Sequence, residues 1–213
     1  MFKPVIFYLH GFASDANSSK IKILHDNFKK NNVKFFADSY NTYDPVLGHN
    51  EINDLVLKNL NTEKEVPIFV GTSLGAYWAY YFAAKYNGHY VIANPSLFPA
   101  ESLKKYLNDT GKYKNFAGLE FDFTENMLKN YNDYLNFDND VIPFPKSGHV
   151  LMNLGDEIIA DSFPVVENLL KDHAEIVYLK GGNHRFENTD ALIEKINDII
   201  HYNLEIGINE NNV

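Results

Sequence analysis

Residues 66–79, Val-Pro-Ile-Phe-Val-Gly-Thr-Ser-Leu-Gly-Ala-Tyr-Trp-Ala, constrain this chain more than any other stretch. A short apolar, β-branched run ends at Gly71, and a helix-like run opens just after Ser73. Between them stands Gly-x-Ser-x-Gly. A strand that becomes a helix in so few residues holds its serine on a tight, strained turn, with the hydroxyl outward above the end of a sheet. Gly71 and Gly75 read as positions where a Cβ would crowd the turn or the strand–helix contact. The turn aims the Leu74 backbone N–H at the serine, at a helix start whose dipole favours an anion. By itself the pattern is weak, because composition alone produces it in roughly a few per cent of chains of this size. The competing interpretation is a Gly-rich turn whose serine caps the helix.

The rest of the chain repeats the alternation. Pro4–Leu9 is apolar throughout, which suits a strand buried on both faces of a parallel sheet. Val33–Ala37, Val66–Val70, Tyr90–Ala93, His149–Leu154 and Ala174–Leu179 read as further strands. Helices are expected from Ser18 or Ser19 to about Asn31, around Ile52–Leu60, from Leu74 to about Tyr86, over Ser162–Asp172, and from Asn188 to about Leu204. Asp38–Gly48 reads as a loop and Glu205–Val213 as a frayed tail. This pattern predicts the α/β class, a mostly parallel central sheet with helices on both faces. With 213 residues, 45% of them hydrophobic, the chain suits one domain, 1–213. Residues 96–148 break the rhythm. They are rich in Tyr, Asn, Asp and Lys, carry one expected helix at Thr124–Leu135, and are too few for a core of their own, so they read as a small cap insertion.

Sheets of this kind bind ligands at the carboxyl ends of their strands. Only residues just after a strand are therefore candidates. Ser73 follows one strand, Gly155-Asp156-Glu157 another, and Gly181-Gly182-Asn183-His184 a third. A serine hydroxyl is a poor nucleophile until a base removes its proton, a neutral imidazole can do so near neutral pH, and a buried carboxylate orients that imidazole. The order Ser, Asp, His is that of the α/β-hydrolase triad. Asp156 directly follows its strand and turn glycine and is the preferred acid; Glu157 and Asp161 are the alternatives, with Asp161 expected to cap the next helix. His25, His49, His89, His149, His173 and His201 fall on helices, loops or strand starts and read as surface or packed residues. His10 reads as a hydrogen-bonded structural residue. The loop after it offers the Phe12 backbone N–H as a second oxyanion donor beside Leu74.

Five pieces carry a resemblance: Tyr8-Leu9-His10-Gly11-Phe12, Gly71-Thr72-Ser73-Leu74-Gly75-Ala76-Tyr77, Asn94-Pro95-Ser96, Gly155-Asp156-Glu157, and Gly181-Gly182-Asn183-His184-Arg185-Phe186. Over nearly the whole chain they resemble the small bacterial α/β-hydrolase esterases of the YqiA/YcfP type. The resemblance implies the α/β-hydrolase fold and a Ser–Asp–His esterase for short acyl esters, with acyl thioesters as further substrates. It carries the triad to Ser73, Asp156 and His184 and the oxyanion donors to Phe12 and Leu74. Ala76 stands where the family tends to have a second Gly, and Asn183 where an acidic residue is expected. Residues 112–146 match least, and they belong to the segment expected to shape the substrate pocket, with Tyr106, Tyr113, Phe116, Phe121 and Phe123 as candidate walls. Two rival readings use the same framework: a carbon–carbon bond hydrolase or lyase on the same triad, and a non-catalytic hydrolase-fold binding protein.

Composition narrows the partners. A net charge of -9 without a Lys/Arg block makes the chain a poor nucleic-acid or anionic-membrane binder, so neither partner is expected. The chain has no Cys, hence no thiolate ligand or nucleophile. No window approaches a membrane span, and Val5–Leu9 is too short for a signal sequence. The expectation is a cytoplasmic monomer or homodimer acting on a small-molecule acyl ester or thioester. No His/Asp/Glu group has metal-ligand spacing, so neither metal nor cofactor is expected.

Overall fold

The computed structural model describes residues 3–115, 118–135 and 145–210, with 203–210 described by backbone alone. In chain order its first half runs β1 (Lys3–Leu9), α1 (Ser19–Lys30), β2 (Lys34–Phe36), α2 (Pro45–Asn59), β3 (Glu65–Ser73), α3 (Leu74–Lys85) and β4 (His89–Pro95). The second half runs α4 (Pro99–Ser102), β5 (Lys112–Lys114), β6 (Glu120–Asp122), α5 (Glu125–Lys129), β7 (Gly148–Asn153), α6 (Phe163–Leu170), β8 (Ala174–Leu179) and α7 (Thr189–Glu210). Six strands form one sheet in the order β2-β1-β3-β4-β7-β8. Every neighbouring pair in it is parallel. The architecture is the expected one, a parallel sheet with helices on both faces.

The alternation of side chains along a strand explains the unbroken apolar runs. In β1, Val5, Phe7 and Leu9 join a core shared with α2, α3 and α6, while Ile6 and Tyr8 join a second core shared with α1 and α7. Both faces need apolar residues because both are covered. Helix α3 carries the same logic further. It is apolar nearly all round, and Tyr77, Trp78, Tyr80 and Phe82 are buried. Its outer side is sealed by the insertion: Tyr77 donates its hydroxyl proton to the Tyr131 carbonyl, and Trp78 packs 5.8 Å from the Tyr131 ring. Each such ring, once fully buried, stabilises the fold by about 1.5–3 kcal/mol.

Several boundaries differ from the sequence expectation, each for a local reason. The expected loop 38–48 is cut short because Asp44 caps α2, its carboxylate accepting from the Val46 and Leu47 N–H groups, with Pro45 at the first helical position. The insertion holds a short antiparallel hairpin, β5–β6, that periodicity does not reveal. The helix expected over 124–135 stops at Lys129 and continues as a tighter turn over Asn130–Asp133. The last helix does not end near Leu204; its backbone runs to Glu210, through most of the expected tail. Asp161 does not cap α6. It lies in a short turn, and Ser162 is the cap position. Among the described residues, no helix is long and apolar enough to cross a membrane.

The start of α3 is seated directly on backbone. A Cβ on Gly75 would lie 2.0 Å from the Leu9 carbonyl oxygen, and one on Gly71 would lie 2.1 Å from the Gly75 oxygen. Neither neighbour can swing aside as a side chain would. Gly75→Ala is therefore expected to destabilise the protein by about 3 kcal/mol or more, at or beyond the upper end for an overpacked core. Urea unfolding followed by circular dichroism measures it, and a stability within error of the wild type would show that β1 and α3 can separate at little cost.

Candidate active site

The turn at Ser73 is strained as a hydroxyl-presenting elbow requires. Ser73 has φ 57° and ψ -120°, a region that residues with a side chain rarely occupy. The β3–β4 register shifts between Thr72 and Ser73, so the serine leaves the regular ladder as its strand ends. Its side chain makes no capping bond to α3, although it stands at the cap position. The helix-cap interpretation therefore fails. Instead Ser73 Oγ lies 2.9 Å from His184 Nε2.

His184 is brought there by the loop after β8, and its other ring nitrogen meets Asp156 from the loop after β7. Nδ1 lies 2.9 Å from Asp156 Oδ2 and 3.1 Å from Oδ1. The Asp156 side chain is fully buried. Its Oδ1 also accepts from the Ile158 and Ile159 N–H groups, at 2.8 and 2.9 Å. Burial works to raise the Asp156 carboxyl, but the His184 bond and these N–H donors outweigh it and hold it below the usual carboxylate range. Asp156 is thus held as an anion at neutral pH. An anion at Nδ1 fixes the proton there and leaves Nε2 with its lone pair toward the serine. Glu157 turns elsewhere: its Oε2 accepts the backbone N–H of His184 at 3.1 Å.

The loop after β1 closes the other side. A Cβ on Gly11 would lie 3.5 Å from Ser73 Cβ and 4.0 Å from Ser73 Oγ, so the Gly11–Phe12 turn lies against the serine. Leu74 opens α3, and the first N–H groups of a helix have no intrahelical acceptor. His10 holds this turn from behind. Its Nε2 accepts the Tyr40 N–H at 3.3 Å, its Nδ1 donates to the Gly11 carbonyl at 3.1 Å, and its ring stacks on Tyr40 at 4.3 Å. That pair of bonds requires the neutral ring, and burial lowers the His10 pKa accordingly. On the far side of the loop that carries His184, Lys20 Nζ donates to the Arg185 carbonyl and lies 3.4 Å from Thr72 Oγ1. Burial brings this lysine down to about 8.

Of the candidate pocket walls, Tyr106, Tyr113 and Phe123 gather on Phe12, with ring centroids 5.3, 5.1 and 5.2 Å away. Phe121 stacks instead on Tyr43, at 4.1 Å. Phe116 lies outside the described residues. One grouping escapes the spacing argument. His149, Glu175 and Asp198, from β7, β8 and α7, bring ligand atoms within 4.8 Å of one another. They sit near the amino ends of β7 and β8, away from Ser73. Lys195 Nζ lies 3.1 Å from Glu175 and 3.0 Å from Asp198, so an ammonium group stands among them.

With this geometry in hand, relatives are informative. The family model of the uncharacterised protein family UPF0227 matches residues 5–202. The UPF0227 protein YcfP of Escherichia coli O9:H4 is 27% identical over 197 residues, covering 90% of this chain and 96% of that protein. Among solved structures, the α/β hydrolase domain-containing protein 10 from mouse superposes with a TM-score of 0.69 at 15% identity, covering 93% of this chain and 90% of the mouse chain. Est1E from Butyrivibrio proteoclasticus, solved with ferulic acid bound, gives 0.68 at 15% identity, covering 92% and 90%. At such identity the structural likeness speaks for the fold, and the fold is that of the α/β hydrolases.

The Asp156 contacts make a prediction about stability. A carboxyl whose folded value lies below its unfolded value, about 3.9, contributes stability that is present above that value and is lost as pH falls through the folded one. The wild type is expected to be more stable than Asp156→Asn at pH 7, with the gap narrowing below about pH 4. Urea titrations from pH 7 to pH 3 measure it; a gap that does not change with pH would mean that the carboxylate charge contributes nothing to the fold.

Proposed function

This chain belongs to the uncharacterised protein family UPF0227, and we propose that it is a serine hydrolase of short acyl esters and thioesters. The observation that carries this reading is the continuous chain from Ser73 Oγ through the His184 ring to the buried Asp156 carboxylate, with contacts of 2.9 Å on both sides of the imidazole. Ser73 attacks the acyl carbonyl while His184 Nε2 takes its proton. The negative charge that forms on the carbonyl oxygen is met by the Phe12 and Leu74 N–H groups, each expected to contribute a factor of about 10² to 10³. Collapse breaks the bond to the alcohol or thiol, which leaves with the proton returned by His184. Water then attacks the acyl-Ser73 ester with His184 again as base, releasing the acid. No step needs a metal or cofactor.

Residues 96–148 act as a cap of the same domain. Rings from this segment close on Phe12, beside one proposed oxyanion donor, so they border the acyl side of the site. A cap of this size covers a pocket mouth and cannot build a deep lipid tunnel. The preferred substrates are therefore short. Thioesters are included because the family resemblance implies them and because the acyl-enzyme chemistry is the same for an oxygen or a sulfur leaving group.

Ser73→Ala is expected to fold normally, lose about 10⁴- to 10⁶-fold in kcat, and lose covalent labelling by a fluorophosphonate. Wild-type turnover in that variant would overturn the assignment of the nucleophile, and a wild-type protein that neither labels nor turns over p-nitrophenyl or acyl-CoA esters would overturn the hydrolase reading.

Asp156→Asn is expected to cost roughly 10⁴-fold, because the imidazole loses the anion that orients it. Asp161→Asn and Glu157→Gln should cost far less, the glutamine keeping an oxygen for the His184 N–H. A crippled Asp161→Asn would reassign the acid.

Across p-nitrophenyl esters from acetate to palmitate, kcat/KM is expected to peak at roughly eight carbons or fewer, with no jump above the micelle concentration. A maximum at long chains would make residues 96–148 a lipase-type lid.

A further inference from the structure

Asn94, the penultimate residue of β4, has a conformation that a residue with a side chain uses sparingly, φ 42°, and it is completely buried. It belongs to the Asn94-Pro95-Ser96 stretch, which the proposed chemistry does not use. Its amide is fully engaged. Nδ2 donates to the Asn183 carbonyl at 2.9 Å and to the His184 carbonyl at 3.2 Å. Oδ1 accepts the backbone N–H of Asn153 at 2.8 Å. These partners fix the orientation of the amide without ambiguity, since a carbonyl can only accept and an N–H can only donate. Asn153, itself buried, adds a second donor to the Asn183 carbonyl at 3.0 Å. The loop meets Asn153 closely: a Cβ on Gly182, which has φ 78°, would lie 2.4 Å from the Asn153 side chain.

The same stretch touches the other two loops of the site. The Ser96 N–H donates to the Ser73 carbonyl at 3.2 Å. The Asn153 carbonyl accepts the Asp156 N–H at 3.0 Å, closing the turn that carries the acid. We propose that Asn94 is the positioning residue of this site, an amide that fixes the His184 loop by its carbonyls and ties it to the strand ends that carry Ser73 and Asp156. It touches neither substrate nor reacting atoms, and its part in catalysis rests on the ester-hydrolase reading. What it supplies is placement. Two successive peptide groups beside the base are held from the sheet side, so the imidazole meets both Ser73 and Asp156 without searching. A buried amide is suited to this because it can donate twice and accept once in one plane, and because asparagine tolerates the positive φ that turns its side chain toward the loop. Glycine would supply the backbone conformation without the bonds. Aspartate would supply the shape but set an oxygen against two carbonyls.

Both substitutions test it. Asn94→Asp and Asn94→Gly are compared with the wild type by thermal unfolding, by kcat and KM for p-nitrophenyl acetate, by the rate of fluorophosphonate labelling, and by ¹⁵N–¹H NMR of the His184 imidazole. Both are expected to fold, with kcat lowered about 10- to 100-fold, KM within about twofold, and labelling slowed in step. The His184 signals are expected to shift or broaden. Asn153→Ala, which removes one of the three donors to the Asn183 carbonyl (the others are Asn94 Nδ2 and the Phe186 N–H), should show the same pattern more weakly, and it carries the comparison if a substitution at Asn94 prevents folding. A folded variant with wild-type kcat and unchanged His184 signals would overturn the proposal. If the wild type neither turns over nor labels, the ester-hydrolase reading fails, and the NMR signals still decide the positioning role: displaced signals sustain it and unchanged signals overturn it.

Discussion

The close seating of α3 on β1 and β3 is the contact on which the rest depends. Two glycines let backbone meet backbone, Gly75 against Leu9 and Gly71 against Gly75. That approach forces the chain to reverse between Thr72 and Leu74, and Ser73 takes the strain, with φ 57°. Strain of this kind costs of order 1–3 kcal/mol and persists only where the surroundings over-determine it. Here they do. The strand before the turn is paired on both sides, and the helix after it is buried on nearly every face. The cost falls on the one residue whose side chain must stand clear of the helix and reach His184.

From that elbow the logic of the site is one of strand ends. Ser73, Asp156 and His184 are far apart in sequence, yet β3, β7 and β8 are parallel members of one sheet and deliver them to the same edge. The gap between β3 and β7 is filled by β4, whose end carries Asn94 and Ser96. This explains why the residues binding the three loops together lie on β4: it is the strand that adjoins the serine's strand and the acid's strand at once. The first strand contributes from the other side. His10, neutral and stacked on Tyr40, steadies Gly11, and Gly11 lies against Ser73.

Much of this is legible in the sequence because it depends on local rules. Runs such as Val5–Leu9 and Val66–Val70 suit strands buried on both faces, and the loops that follow them are few. Ser73, Asp156 and His184 can be singled out from those rules alone, and the sheet brings them within hydrogen-bonding distance of one another. Most of what escapes depends on tertiary contact, but not all of it. Pro45 opens a helix, and Asp44-Pro45 is a local signal for it that reading 38–48 as a loop passes over. The β5–β6 hairpin is different, since its strands have three residues each and their aromatic residues are held by packing on Phe12 and Tyr43 rather than by any period of their own. The cluster of His149, Glu175, Asp198 and Lys195 joins four positions whose spacing means nothing until β7, β8 and α7 are laid side by side.

Asn94 shows the same limit within the site. As a sequence feature it is an asparagine before a proline at a strand end, and turn chemistry accounts for that fully. Its burial, its positive φ and its bonds to Asn153, Asn183 and His184 become visible only together. An amide with all its hydrogen-bonding groups satisfied in the interior is costly to replace, because any substitute leaves a buried carbonyl or N–H unpaired, at about 1–3 kcal/mol each. A turn alone does not require that cost. In the proposed chemistry, holding the His184 loop at a fixed distance from the elbow does, since a serine–imidazole contact tolerates little displacement before proton transfer suffers. The strain at Ser73 and the buried amide at Asn94 are thus two parts of one arrangement, the first presenting the hydroxyl and the second holding its partner within reach.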